Sequence, residues 1–106
     1  MPNSWGIEIG ILNGMVAFRP NVPGAQVGQP LGVAQNDLVH WINRTPLTIV
    51  LLSSQPPGMF LAEPIPPGQG SRPFFMARDT VAYAAMNAGP FPSQPHLIVV
   101  VSPPVA

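Results

Sequence analysis

The chain has two imidazoles, His40 and His96, and no cysteine. Any metal chemistry must therefore be assembled from imidazole, carboxylate and thioether donors. A zinc or copper site wants at least three good ligands. The set on offer is His40 and His96 with a methionine such as Met59 or Met86, which could make a non-blue site at most. The methionines (Met1, Met15, Met59, Met76, Met86) lack the clustered spacing of Cu(I) handling and read as adaptable packing. Hydrolysis would need a nucleophile, a base and an orienting acid. Only Ser71 or Ser93, His96 and Asp79 could serve, and there is no Gly-x-Ser-x-Gly elbow. Gly68-Gln69-Gly70 lacks the lysine and following helix of a phosphate-binding loop. These gaps predict a protein that is not an enzyme and holds no cofactor.

Composition limits the partners. Charged residues are 8% of the 106, with a formal charge of zero, and every basic side chain is an arginine (Arg19, Arg44, Arg72, Arg78). An ordinary domain has about 25% charged residues. Four scattered arginines cannot build the basic patch that nucleic acid requires. A nearly neutral, charge-poor surface favours association, so a protein partner or a homo-oligomer is expected. The predicted contact is the uncharged, proline-flanked patch Met59, Phe60, Leu61 with one of Phe74 or Phe75, since adjacent strand residues point to opposite faces. Exposed aromatics among Trp5, Phe60, Phe74, Phe75 and Phe91 could alternatively bind a sugar or an apolar ligand. Packing in the core or between subunits is their plainer role.

The elements that must position these residues are strands. Sixteen prolines and ten glycines punctuate short β-branched runs, the pattern of an all-β domain. Gly6 to Leu12, Asn13-Gly14, and Met15 to Phe18 read as a hairpin with a type I′ turn. In that register Leu12 faces Met15, Ile11 faces Val16 and Ile9 faces Phe18, with Glu8 on the opposite face. Further strands are expected at Leu31 to Ala34, Leu38 to Asn43, Leu47 to Leu52, Thr80 to Ala85 and Leu97 to Val101. Val39 and Trp41 share the core face of theirs, which puts His40 on the outer face, at the surface or an interface. Leu47 to Leu52 is almost continuously apolar, so it should be buried on both faces or lie at a subunit contact.

About seven strands with turns between them predict a single two-sheet sandwich over residues 1–106. The longest apolar runs, Thr48 to Leu52 and Leu97 to Val101, fall far short of the ~20 residues of a membrane helix. No membrane span is expected. Met1-Pro2-Asn3-Ser4 has neither the charged nor the apolar region of a leader. The compartment stays open, extracytoplasmic if a leader has been removed.

Several short motifs stand in a telling order: Phe18-Arg19-Pro20; Leu31-Gly32-Val33; Asn36-Asp37-Leu38-Val39-His40-Trp41-Ile42-Asn43; Pro46-Leu47-Thr48-Ile49; Ile65-Pro66-Pro67-Gly68; Asp79-Thr80-Val81-Ala82-Tyr83; and Leu97 to Val101. Their order and spacing resemble the cupredoxins, the small blue copper proteins, from about residue 18 to 101. The resemblance implies an all-β, two-sheet Greek-key sandwich. It also implies a copper site with a histidine after the proline, then a cysteine, a second histidine and usually a methionine before the last strand. Here the first position falls at Leu47 and the cysteine position at about Ala85, directly before Met86. No histidine follows until His96, which abuts the last strand. A blue centre needs a thiolate and two imidazoles, so this chain alone cannot make one. The expected role is a non-catalytic structural or interaction subunit. The alternatives are a non-blue metal site using His40, His96 and Met86, and an apolar or carbohydrate ligand-binding module.

Overall fold

The computed structural model describes residues 3–55, 60, 63–76, 80–86 and 91–101. The chain forms strands β1 (Ser4–Leu12), β2 (Met15–Pro20), β3 (Leu31–Ala34), β4 (Leu38–Asn43), β5 (Ile49–Gln55), β6 (Pro64–Ile65), β7 (Phe74–Phe75), β8 (Thr80–Ala85) and β9 (His96–Val101). No helix occurs among the described residues. One sheet has the order β2-β1-β4-β7 and the other β3-β9-β8-β5-β6. Both are mixed: β1 and β4 pair parallel, as do β3 and β9. Parallel neighbours cannot be joined by a tight turn, and here the chain passes to the other sheet and back between them.

The first hairpin has the anticipated register, with Leu12 opposite Met15, Ile11 opposite Val16 and Ile9 opposite Phe18. Asn13 and Gly14 have φ of 53° and 76°, the two positive values of a type I′ turn. Alternation then builds the core. Ile7, Ile9, Val16, Phe18, Val39 and Trp41 from one sheet meet Leu31, Val33, Ile49, Leu51, Val81, Tyr83, Ile98 and Val100 from the other, all buried. Asp37 fastens the start of β1 to the β3–β4 turn. Its carboxylate accepts the Trp5 indole N–H at 2.9 Å and the amide N–H groups of Asn3 and Ala34 at 3.0 Å. These bonds, the indole's first, hold its pKa below the ordinary carboxylate value.

Three expectations need correction. Among the described residues there are nine strands rather than about seven, because β6 and β7 are two-residue edge pieces too short to leave a period in the sequence. Of the two readings of the apolar run Leu47 to Leu52, burial on both faces or a subunit contact, the first does not hold within this chain. The strand begins at Ile49, and Leu52 is 48% exposed, since only Ile49 and Leu51 share the core-facing parity. Phe60 is not a surface residue either. It is buried edge-on to Trp41, Phe74 and Tyr83, with ring centroids 5.0, 5.2 and 5.6 Å away, an arrangement aromatic rings favour.

Candidate functional site

A chain of hydrogen bonds runs through the core and ends on His96. Trp41 Nε1 lies 3.0 Å from the Tyr83 hydroxyl, that hydroxyl 2.5 Å from His96 Nδ1, and His96 Nε2 2.7 Å from the Gln29 carbonyl oxygen. A carbonyl only accepts, so Nε2 carries a proton and donates it. The indole only donates, so the Tyr83 oxygen accepts from Trp41 and gives its own proton to Nδ1. With His96 and Tyr83 both neutral, this arrangement of protons satisfies every atom. Burial acts in the same sense, pushing the Tyr83 pKa well up and the His96 pKa down. This wire orders the core and leaves no ring nitrogen free.

The wire makes stability depend on pH. Unfolded, His96 titrates near 6.5; folded, it titrates lower. As pH falls below about 6.5 the unfolded chain takes up a proton that the native chain refuses, so this contribution is complete above that pH and declines on acidification. Glu8 and Asp37 are themselves held below the ordinary carboxylate range, so their loss comes at more acid pH. Denaturation midpoints across pH 5–8 are expected to fall on the acid side, and His96→Gln, which keeps an acceptor and a donor, to flatten that slope. An unchanged slope in the variant would assign it elsewhere.

The other candidate residues are dispersed. His40 lies half-buried on the outer side of β4, with Gly6 opposite it on β1, whereas His96 points into the core from β9. The two face different regions. Met86 is exposed beyond β8. Ser71 Oγ accepts the Trp41 amide and donates to the Arg72 carbonyl, and Ser93 Oγ accepts the Ala85 amide and donates to the Gln94 carbonyl. Neither serine hydroxyl is the partner of His96. Met59, Leu61 and Asp79 lie outside the described residues. Phe74 packs on the core edge and Phe75 is 65% exposed, so one of the pair does leave the core. Beside Phe60 and Phe74, a cleft of about 230 Å³ includes Glu63, Ser71 and Arg72. That is below the ~300 Å³ at which ligand pockets begin.

The outer faces of the two sheets differ in kind. Glu8 on β1 pairs with both Arg19 on β2 and Arg44, so charge gathers on the β2-β1-β4-β7 side. The other outer face carries Gly32 and Ala34 of β3, Leu97, Val99 and Val101 of β9, Thr80, Ala82 and Ala84 of β8, and Val50 and Leu52 of β5. Leu52, Leu97, Val99 and Val101 are each at least 43% exposed. None of these residues is charged. Sequence reasoning missed this face. Its signal was the apolar character of both parities in β9, where Leu97, Val99 and Val101 alternate with Ile98 and Val100.

No family model matches the chain, and no curated protein sequence does. Solved structures do. A multi-copper oxidase from Pseudomonas Thermotolerans aligns over 96% of this chain and 30% of its own, at 16% identity and a TM-score of 0.63. A mutant of amicyanin in a reduced Cu(I) form at pH 4 aligns over 95% of this chain and 85% of its own, at 18% identity and 0.56. The copper nitrite reductase from Nitrosomonas europaea aligns over 96% of this chain and 42% of its own, at 15% identity and 0.57. The fold is that of the cupredoxins. The chain spans most of the amicyanin and less than half of the two enzymes.

The resemblance puts the first copper-ligand position at Leu47 and the cysteine position at about Ala85, and the residues present there do not fit copper. Leu47 and Ala85 offer no donor atom, and no cysteine exists to take their place. What stands there is a hydrogen-bonded support. Asn43 Nδ2 donates to the carbonyls of Leu47 and Ile65 at 2.7 and 2.9 Å, and its Oδ1 accepts the Thr45 amide and hydroxyl at 2.9 and 2.7 Å. The Val16 amide donates to the Pro92 carbonyl and the Gln94 amide to that of Val16, pinning the segment before β9 onto β2. Among the described residues no three His, Asp or Glu side chains converge.

Proposed function

We propose that the chain is a non-catalytic interaction subunit built on a cupredoxin-like sandwich that does not bind copper in the blue manner. The observation that carries this reading is the uncharged apolar outer face of the β3-β9-β8-β5-β6 sheet, set against the ion-paired face on the opposite side. Exposed apolar side chains gathered on one uncharged face mark contact sites in many proteins. The chemistry at Leu47 and Ala85 agrees, since neither side chain offers an electron-transfer ligand. The hydroxyls of Ser71 and Ser93 and both nitrogens of His96 are committed to structural hydrogen bonds, which supports the non-catalytic part.

The test is the mass of the untreated species from its native source, with metal analysis of the same sample. A mass above the 11.2 kDa of one chain, without stoichiometric copper or zinc, is the expected result. A lone monomer with one metal ion per chain would overturn the proposal in favour of a non-blue site drawing on His40 or Met86.

A further inference from the structure

We propose that a trough on the outer face of the β2-β1-β4-β7 sheet binds a small free aliphatic carboxylate, its carboxyl group on Arg44 and Arg19 and its chain lying over Gly10 and Ala17. The site stands apart from the interaction-subunit reading, whose apolar face belongs to the other sheet.

The trough is built around a glycine that the fold does not require. Gly10 lies inside β1, where glycine weakens a strand through its backbone entropy and its lack of packing. Its φ is not positive, the β1–β2 register runs past it without a bulge, and a Cβ built on it would meet nothing within 4 Å. Neither a turn nor a crowded neighbour accounts for it. Glycine inside a regular strand also marks a place where a ligand approaches the backbone closely.

Pairing sets what surrounds Gly10. Ala17 of β2 is opposite it, with Arg19 opposite Glu8 on one side and Met15 opposite Leu12 on the other, all of one parity and all on the outer face. The Arg44 amide donates to the Ile9 carbonyl, which carries the β1–β4 register one step further and sets Arg44 beside Gly10. Ala17 faces outward yet is only 3% exposed, so it lies at the bottom of a recess, while Leu12 and Val27 stand exposed at its rim. Val27 is held in place by the next two residues. The Gly28 amide donates to the Phe18 carbonyl, and the Gln29 carbonyl accepts from His96. The space between these groups is about 220 Å³.

Charge selects the ligand. Glu8 pairs with both Arg19 and Arg44, so the two guanidinium groups exceed the carboxylate by a single positive charge. Among the described residues Arg44 gives Glu8 only its Nε–H, which leaves the terminal nitrogens of its fork for a second carboxylate. The cleft beside Phe60 and Phe74 differs in this respect, because there Glu63 pairs with Arg72 alone and the charges cancel. An anionic head with an apolar tail matches both parts of the trough. The distance from β4 to β2 is about 10 Å, the reach of a chain of about eight carbons. The volume lies below the ~300 Å³ of sites for drug-sized molecules and suits an acid of this size.

Amide chemical-shift titration of the purified full chain with sodium octanoate, at neutral pH and low salt, tests this. The expected result is saturable shifts centred on Gly10, Leu12, Ala17 and Val27, with a dissociation constant on the order of 1 mM for so small a ligand. High salt should weaken it, because the head group meets an exposed cation. Octylammonium, with the same chain and the opposite charge, should bind about ten-fold more weakly or not at all. Arg44→Gln should weaken octanoate about five-fold while leaving octan-1-ol unchanged. Gly10→Val fills the trough with a residue that suits a strand, so it should abolish binding without lowering the denaturation midpoint. Arg72→Gln, at the other cleft, should change nothing. The proposal is overturned by an absence of saturable shifts, by shifts centred on the Phe60 cleft or on Leu97 to Val101, by equal binding of octylammonium, or by octanoate binding that Gly10→Val leaves intact. Tighter binding of a blocked dipeptide ending in leucine than of octanoate also overturns it, and would assign the trough to the carboxyl ends of polypeptides.

Discussion

Trp41→Ala is expected to cost about 3–5 kcal/mol of stability, the range for truncating a large buried aromatic, out of the 5–15 kcal/mol that holds a small domain together. Trp41 is fully buried. Its ring is edge-on to Phe60, Phe74 and Tyr83 with centroids 5.0, 5.9 and 5.2 Å away, so alanine leaves a cavity bordered by three rings that cannot all collapse into it. The indole N–H is also the first donor of the wire through Tyr83 to His96. The two contributions can be separated. Trp41→Phe restores part of the ring volume but no donor, and should recover part of the loss. Urea denaturation of both variants measures this. A loss below about 1 kcal/mol for Trp41→Ala would show that the cluster repacks freely around the gap.

The position of Trp41 was legible because alternation with Val39 and the turn on either side allow one parity only. The same reasoning recovered the register of the first hairpin, since Asn13-Gly14 fixes both turn type and register, although β1 starts earlier, at Ser4, and β2 runs on to Pro20. It failed at Phe60, which stands in a proline-flanked stretch with no period and turns inward to fill the space under Trp41. It failed differently at His96. A histidine opening a strand reads as a surface residue or a stray ligand, and only the approach of Tyr83 from β8 and Gln29 from the β2–β3 loop makes it a satisfied core group. Both partners are distant in sequence, so no local signal exists. The apolar sheet face was half legible. The continuous run Leu47 to Leu52 pointed to a second buried face, and Leu52 does emerge on the outside of the sheet, but its neighbour there is Ala84 of β8, and the rest of the face comes from β9 and β3 further along the sheet. Leu47 and Ala85 were singled out by the resemblance alone, and the hydrogen-bonded support around Leu47 left no local signal in the sequence.

That support yields the second large effect. Asn43→Leu is expected to cost about 3 kcal/mol or more, because a side chain of similar size abandons groups that have no water to turn to. Asn43 is fully buried. Its side chain ties together the Leu47 carbonyl, the Ile65 carbonyl and the Thr45 amide and hydroxyl, while its backbone meets Gln69 and Gly68. The end of β4, the turn leading to β5, strand β6 and the turn after it thus converge on one amide. Each orphaned buried group costs roughly 1–3 kcal/mol, a loss reduced where the Thr45 hydroxyl and the Leu47 carbonyl keep each other at 3.1 Å. Asn43→Asp tells a donor requirement from a packing one. Its carboxylate can still accept from Thr45, but its second oxygen faces two carbonyls, a repulsion that favours the protonated acid and raises its folded pKa above the unfolded value. The stability of Asn43→Asp relative to the wild-type chain at the same pH should therefore be greatest below the ordinary carboxylate pKa near 3.9 and fall as pH rises through the folded value. Thermal melts of the two variants at acid and neutral pH measure this. If Asn43→Asp matched the wild-type chain at neutral pH, the two carbonyls would not depend on the amide, and the organisation of this end of the sandwich would have to come from the turns alone.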